Sequence, residues 1–298
     1  MKILLIGRTG QLGGDLLRGS KGHEIVAPGR ADVDVASIET VARAVRDVRP
    51  DVLINTAAFH NVPLCEEKPD TAFRINCVAV RDMARLCNRS NVAFVTFSSD
   101  YVFNGGQRTP YREDDRPSPL QIYGITRAGG EYAALSEAPD HAIVIRTCGL
   151  YGRSGGSSKG GNFVDKRIDD ARRNAVLEMS SDQVVCPTST DDLSRAVIRL
   201  LEHPNRQPGI YHLVNEGECS WYDFTKAIYE LLGLTVDLRP VDRKGRSGDM
   251  RRPLYSVLAN TKAKALGIAL PHWRDGLAVH LREKYGTSGK SAGVSVTP

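Results

Sequence analysis

Apolar runs alternate with amphipathic stretches along the first half of the chain. Continuous apolar runs of strand length are typical of parallel strands that are buried on both faces. We predict strands at residues 2–6, 23–27, 52–55, 92–97 and 141–146. Between them, apolar residues recur at helical spacing, and we predict helices around Leu12, over 37–48 with Ser37 as the cap, over 69–89 and around Tyr123. Alternating strands and helices predict an α/β fold, a Rossmann-type doubly wound parallel sheet with right-handed crossovers.

The pattern changes after Tyr151. A glycine- and serine-rich loop at 152–161 is long for a simple connection, and we expect it to be mobile. Further elements are predicted as helices at 162–173, near 190, at 220–232 and at 273–284, with a strand at 209–214. We therefore predict an NAD(P)-binding domain at 1–150, rejoined by about 183–215, a smaller interleaved substrate domain mainly at 151–285, and a disordered tail at 286–298.

A glycine-rich turn follows the first predicted strand directly, in the pattern G-x-x-G-x-x-G. Glycine at these places allows a tight turn, close approach of a pyrophosphate and close helix packing, and the helix N-terminus faces the phosphates. The alternative is a glycine-rich loop that binds no ligand. The predicted dinucleotide-binding residues are Gly7, Arg8, Thr9, Gly10, Gln11, Leu12 and Gly13.

The end of the second predicted strand carries Arg30 and no acid. A carboxylate there would bind the ribose 2′-hydroxyl of NAD, whereas an arginine accommodates the 2′-phosphate of NADP. Arg30, helped by Arg8, therefore favours NADPH, with NADH possible. The alternative is that Arg30 is a solvated loop cation. Asp34 and Val35 follow, and we place them at the adenine edge of the cofactor.

Small and polar residues end the next two strands. Ala57 and Ala58 leave room for a cofactor at the carboxyl edge of the sheet, and Ser99, Asp100 and Tyr101 follow the fourth strand at the expected ligand crevice.

Tyr123 and Arg127 lie four residues apart on one predicted helix and so face the same way. A fixed cation about 4–5 Å from a phenol stabilises the phenolate by roughly 3–4 kcal/mol at an effective dielectric of about 20. The pair therefore predicts a catalytic acid–base group, and the alternative is an ordinary surface contact.

Composition narrows the class of protein. The 298 residues are 41% hydrophobic and 25% charged, and the net charge of +5 gives no strong case for nucleic acid but suits a small anionic ligand. Six cysteines and seven histidines are scattered without metal spacing, so we expect reduced thiols and no metal site. No apolar run approaches 18 residues, and we expect a cytoplasmic protein that begins at Met1, without a membrane partner.

Several segments together carry a family resemblance. They are residues 6–13, 55–59, 97–103, 119–124, 161–164, 182–192, and 252–258, where Arg252-Pro253 and Ser256-Val257-Leu258 stand. In order and spacing they resemble the extended short-chain dehydrogenase/reductases, and more closely the RmlD-like dTDP-4-dehydrorhamnose reductase family. The resemblance covers residues 1 to about 285. It implies a Rossmann domain with an interleaved substrate domain.

The resemblance also implies an activity and residue roles. An NAD(P)H-dependent enzyme would deliver a hydride to C4 of a 4-keto nucleotide sugar, as in dTDP-rhamnose and polysaccharide biosynthesis. Tyr123 would be the proton donor and Ser99 the hydroxyl that polarises the carbonyl, while Asn76 would support the hydrogen bonds on the cofactor side. Implied substrate contacts are His60, Val62, Ser99, Asp100, Tyr101, Asn162 and Arg252. A homodimer is possible.

Two positions depart from that family. The usual Tyr-x-x-x-Lys ends here in Arg127, and arginine does not readily release a proton. Gly149 replaces a tryptophan that contacts the sugar nucleotide in the rhamnose-pathway enzymes. The alternative function is therefore a catalytically weak, NADP-binding regulatory or scaffold member of the same family. The run Ser98-Ser99-Asp100-Tyr101 lacks the Thr-Asp-Glu of the related 4,6-dehydratases, which disfavours dehydration.

Overall fold

A computed structural model describes residues 1–154, 161–173, 176–247 and 250–286. The predicted mobile loop falls largely, and the predicted disordered tail almost entirely, outside these ranges. The strands are β1 Lys2–Ile6, β2 Glu24–Val26, β3 Val52–Asn55, β4 Ala93–Ser99, β5 Ala142–Thr147, β6 Val176–Ser180, β7 Val184–Val185, β8 Gly209–His212, β9 Cys219–Ser220, β10 Asp237–Val241, β11 Arg246–Ser247 and β12 Met250–Arg251. The helices are α1 Gln11–Gly19, α2 Ile38–Val48, α3 Val62–Glu67, α4 Pro69–Phe73, α5 Ala79–Arg89, α6 Ile122–Glu137, α7 Phe163–Arg173, α8 Thr190–Glu202, α9 Trp221–Leu232, α10 Thr261–Ala265 and α11 Trp273–Tyr285.

Six parallel strands form the central sheet in the order β2-β1-β3-β4-β5-β8. Successive side chains of β1 point to opposite faces. Ile3 and Leu5 therefore pack into a core with α1 and α8, whereas Leu4 and Ile6 pack into a second core with α2 and α5. Helices on both faces of a parallel sheet make the doubly wound Rossmann-type architecture, as predicted from the alternating pattern.

A third core lies outside the sheet and is built around Phe224 of α9. It contains apolar side chains of α7 and α11, and Leu177 and Leu238 of the parallel pair β6 and β10 pack against it. We propose that this core is the centre of the predicted substrate domain.

The helix predicted over 69–89 is wrong in its middle. A π-helical segment, Arg74–Val78, separates α4 from α5 and contains the buried Asn76. Its widened turn presses the Asn76 carbonyl oxygen against α6, where a Cβ on Gly130 would lie 2.2 Å from that oxygen. Single-turn π segments often occur at functional sites.

Smaller details also differ from the predictions. Helix α3 was not predicted. Ser37 holds the N-cap position of α2, but its hydroxyl donates to the Glu39 carboxylate rather than capping the helix backbone. No helix within the described ranges is long and apolar enough to cross a membrane.

Candidate functional site

The carboxyl ends of β1, β3, β4 and β5 meet at one edge of the sheet. Register places Ile6 beside Asn55, Asn55 beside Thr96, and Ser99 beside Thr147. The loops that leave these strands therefore share one crevice, which is where open parallel sheets bind their ligands.

The glycine-rich turn between β1 and α1 requires its glycines. Gly7 has a φ of +95°, and a Cβ on it would lie 2.4 Å from Thr56 Oγ1. A Cβ on Gly13 would lie 2.2 Å from the Gly7 carbonyl oxygen, so only glycine lets α1 approach the turn this closely. Helix α1 has no side-chain cap and no acid in its first turn, which leaves its N–H groups open to an anion.

Gln11 and Leu12 begin α1, and Gln11 Oε1 is buried without a hydrogen-bond partner in the described part of the chain. A buried oxygen of this kind needs a donor. The turn from Gly7 to Gly13 therefore has the shape and the polar groups expected of a dinucleotide cradle.

The end of β2 holds a feature that sequence reasoning missed. Asp32 folds back so that its carboxylate accepts from the Gly29 N–H at 3.2 Å. An acid is therefore present where the sequence suggested none. The Arg8 guanidinium also lies near Gly29 and donates to the Ala27 carbonyl at 3.0 Å, while Arg30 is exposed.

Asp34 and Val35 follow Asp32 along the chain. The Asp34 carboxylate accepts from the Ala36 N–H at 3.0 Å, and Val35 packs against the second core. Their contact with adenine stays a prediction.

Asn76 ties the loop after β3 to α6. Its side chain accepts from the Phe59 N–H and donates to the Phe59 carbonyl, both at 2.9 Å, and it also donates to Thr126 Oγ1 at 3.1 Å. Asn76 therefore fixes the loop that holds Ala57 and Ala58 relative to the helix of Tyr123.

Tyr123 and Arg127 are brought together as the helical spacing predicts. Arg127 Nε donates to Tyr123 Oη at 3.3 Å, and only 9% of Tyr123 and 8% of Arg127 are exposed. A Cβ on Gly124 would lie 2.1 Å from the Tyr101 carbonyl oxygen, so glycine there lets α6 approach the end of β4. The pair is thus a buried phenol with a fixed cation, not a surface contact.

The predicted substrate residues divide into two groups. Val62 and Tyr101 pack in one cluster with Tyr123, and the Tyr101 ring meets that of Tyr123 edge-on at 6.1 Å. Arg252 reaches the same cluster by donating to Tyr101 Oη at 3.0 Å. Burial raises the pKa of Tyr101 to about 12, and Arg252 opposes that rise.

The second group is engaged elsewhere or exposed. Asn162 is buried and caps its own segment by accepting from the Asp165 N–H at 3.0 Å and donating to the Gly152 carbonyl at 2.7 Å. His60 is exposed. Their role in substrate binding stays a prediction.

Ser99 is the last residue of β4. Its Oγ lies 2.8 Å from Asp100 Oδ1 and accepts a hydrogen bond from the Tyr101 N–H at 3.1 Å. Asp100 is buried, and both of its carboxyl oxygens contact protein groups. Burial raises the pKa of Asp100, while hydrogen bonds with Ser256, Cys148 and Ser99 oppose the rise. Sequence reasoning placed Asp100 beside the substrate but could not see these contacts.

Gly149 follows β5 with a φ of +55°. A Cβ on it would lie 3.2 Å from both the Trp221 ring and Pro187 Cα. The space beside residue 149 is therefore filled by an aromatic side chain from α9.

A buried ion pair lies one helical turn beyond Arg127. Glu131 of α6 binds the Arg146 guanidinium of β5 through two hydrogen bonds of 2.9 and 2.7 Å. Arg146 also lies 3.4 Å from His212, whose pKa is lowered to about 3 by burial and by that arginine. The spacing of residues 123, 127 and 131 was the signal in the sequence that could have found Glu131.

Within the described residues, no group of three or more His, Cys, Asp or Glu side chains is arranged to hold a metal.

Comparison with known proteins gives the family. Residues 1–285 match the family model described as the RmlD substrate binding domain. The spore coat polysaccharide biosynthesis protein SpsK of Bacillus subtilis is 38% identical, over 95% of this chain and 98% of that protein. A dTDP-4-dehydrorhamnose reductase of Sinorhizobium fredii is 34% identical, over 92% and 95%. The crystal structure of dTDP-4-dehydrorhamnose reductase from Bacillus anthracis in complex with NADP is 28% identical, with a TM-score of 0.88 over 95% of this chain and 99% of that one.

The match to the family model spans almost the whole chain, and the relatives are similar over nearly their full length. The glycine-rich turn, the Tyr123–Arg127 pair and the Rossmann-type sheet therefore occur together in a chain that belongs to the RmlD substrate-binding family of oxidoreductases.

Proposed function

We propose that the protein reduces the 4-keto group of a nucleotide sugar with NADPH, in the biosynthesis of a polysaccharide precursor. The observation that carries this proposal is the buried Tyr123–Arg127 pair at the sheet edge that also bears the glycine-rich turn. Similarity to dTDP-4-dehydrorhamnose reductases along almost the whole chain supports it.

The cofactor would lie along the carboxyl edge of the sheet. The glycines at 7 and 13 leave a cradle that a Cβ would fill, and the α1 N-terminus suits the pyrophosphate. We assign Gly7 to Gly13, Ala57 and Ala58 to the dinucleotide. NADPH, when bound, supplies the hydride that reduces the carbonyl carbon.

Two residues of the protein would supply the proton for the reduced oxygen and stabilise the phenolate that remains. Tyr123 Oη donates its proton to the oxygen that becomes the alkoxide, and Arg127 Nε stabilises the phenolate left behind. Ser99 binds the same oxygen from the β4 side. Tyr101 and Val62, which pack against Tyr123, would border the sugar.

The charge around Tyr101 suits an anionic substrate. Arg252 donates to Tyr101 through Nη1, while its Nε is buried with no hydrogen-bond partner among the described residues. A guanidinium with spare donors is well suited to a diphosphate oxygen. We assign Arg252 to the diphosphate, with Asn162 and His60 as further contacts of the nucleotide sugar.

The second candidate is the catalytically weak NADP-binding member, favoured by Arg127 and Gly149. Both functions share the cofactor site and differ in turnover. We expect the wild type to oxidise NADPH only when a 4-keto nucleotide sugar is supplied. Because one cation near the phenolate is worth roughly 3–4 kcal/mol, Arg127→Met should lower kcat by at least about 100-fold. Arg127→Lys, which keeps the charge, should stay within about tenfold of wild type.

NADPH absorbance with a panel of nucleotide-linked 4-keto sugars measures these rates, and NADPH binding is measured separately by fluorescence. A wild type that binds NADPH but does not turn over, while Arg127→Lys does, would refute the reductase function and support the catalytically weak member instead.

Cofactor preference should depend on Asp32. Its carboxylate lies near Gly29 at the β2 end, as does the Arg8 guanidinium, and there it would repel a 2′-phosphate. Asp32→Asn should therefore raise the preference for NADPH over NADH by about three- to tenfold, and Arg8→Ala should lower it. The measurement is the ratio of the two dissociation constants. Asp140→Asn, at an exposed position before the amino end of β5, is the matched control and should leave the ratio unchanged. An equal ratio in Asp32→Asn and wild type would place the 2′-phosphate elsewhere.

A further inference from the structure

Asp100 joins three separate segments of the chain at the catalytic edge. It lies directly after β4, with 4% of its surface exposed. Its Oδ1 lies 2.8 Å from Ser99 Oγ, and its Oδ2 lies 2.6 Å from Ser256 Oγ and 3.1 Å from Cys148 Sγ. Both carboxyl oxygens of Asp100 are engaged by protein groups, so we expect its role to be exerted through these neighbours.

The surroundings of Asp100 offer it no compensating charge. Across the described ranges, no Lys, Arg or His nitrogen lies within 4.0 Å of its carboxyl group. Arg252, the cation of this cluster, binds the Tyr101 hydroxyl instead. The titratable groups that face Asp100 are the Cys148 thiol, with Cys186 beyond it, and the Tyr101 phenol. Neither a thiol nor a phenol can carry a positive charge, and burying a carboxylate without a cation beside it is costly.

The Ser99 hydroxyl has one proton and can donate it to only one acceptor at a time. If the Asp100 carboxyl group is ionised, it accepts that proton, and Ser99 has no donor left for a substrate carbonyl. If the carboxyl group is neutral, it donates to Ser99 Oγ across the same 2.8 Å contact. The Ser99 hydroxyl then accepts from Asp100 and from the Tyr101 N–H, and its proton is free to point into the crevice.

We propose that Asp100 is a positioning residue whose neutral carboxyl group donates to Ser99 and so directs the Ser99 proton at the substrate carbonyl oxygen. This role rests on the proposed reductase function. No bond to Asp100 is made or broken in the reaction, because the residue only sets which way the Ser99 hydrogen bond points. Its two acceptor contacts, with Ser256 and Cys148, hold the carboxyl group in that orientation.

Substitution of Asp100 by asparagine and by alanine distinguishes a neutral carboxyl group that donates to Ser99 from an ionised one that accepts. The Asn amide can donate to Ser99 through Nδ2 while its oxygen accepts from Ser256 and Cys148, which is the pattern of a neutral acid. Asp100→Asn should therefore keep kcat within about tenfold of wild type, whereas Asp100→Ala should lose about 100-fold in kcat with KM changed much less. In a Ser99→Ala background, Asp100→Ala should cost little more, because its effect passes through Ser99.

Infrared spectroscopy decides the protonation state without any turnover. The difference spectrum between wild type and Asp100→Asn, both free of substrate at neutral pH, should contain the C=O stretching band of a neutral carboxyl group. Carboxylate bands in its place would overturn the proposal, as would Asp100→Asn being as slow as Asp100→Ala. A wild type that shows the neutral band but reduces no 4-keto sugar would refute the proposed function while leaving the hydrogen-bond assignment supported.

Discussion

Replacement of Tyr123 by phenylalanine should lower kcat by about 1,000-fold or more while NADPH binding and the melting temperature stay close to those of wild type. Phenylalanine keeps the edge-on ring contact with Tyr101 but removes the hydroxyl that Arg127 contacts at 3.3 Å. Without it, the alkoxide has no positioned proton donor, and loss of such a group typically costs about 10²–10⁴-fold.

Steady-state rates with a 4-keto nucleotide sugar and NADPH measure this effect. Tyr132→Phe is the matched control, because Tyr132 lies on the same helix with 61% of its surface exposed. Loss of its hydroxyl should leave kcat unchanged. If Tyr123→Phe turned over at the wild-type rate, Tyr123 would not be the proton donor and the assignment of α6 as the catalytic helix would be wrong.

Glu131→Leu should be strongly destabilising, lowering the free energy of unfolding by about 3–5 kcal/mol. Glu131 and Arg146 are 2% and 1% exposed, and the substitution leaves the guanidinium buried without its carboxylate. His212, 3.4 Å from Arg146, cannot replace the carboxylate, because an imidazole carries no negative charge. The double variant Glu131→Leu/Arg146→Met should recover most of the loss, since it removes the unpaired charge as well.

Urea unfolding followed by circular dichroism gives these free energies. Glu137→Leu serves as the control on the same helix, because its ion pair with Arg85 is much more exposed and its removal should barely move the unfolding midpoint. A midpoint for Glu131→Leu equal to that of wild type would mean that Arg146 finds water or another partner in the folded protein.

The strands could be predicted because parallel strands buried on both faces carry few polar residues. β1 and β3 match their predicted bounds. β4 runs two residues further than predicted, since the polar Ser98 and Ser99 pair with β5. Sequence pattern therefore locates buried strands well but not their polar ends, which in this fold are the parts that border the site.

The geometry of the site was predictable where local sequence fixes it, as at the glycine-rich turn and on α6. Four-residue spacing brings Tyr123 and Arg127 together whatever the rest of the fold does. The contact between Asp100 and Ser256 spans 156 positions in the sequence, and no local pattern signals it. The fold-back of Asp32 depends on its hydrogen bonds with Gly29 in a loop, which periodicity does not encode.

The contact between Gly149 and Trp221 restricts how this chain can change by single substitutions. Any side chain at 149 meets the Trp221 ring and Pro187, and it must also adopt a φ of +55°. Removal of bulk at 221 relieves the contact with the ring but not those with Pro187 and the backbone, so the effect of a substitution at 149 depends on the residue at 221 and the two positions are epistatic. A library that varies 149 together with 221 should therefore return more residue types at 149 than a library that varies 149 alone.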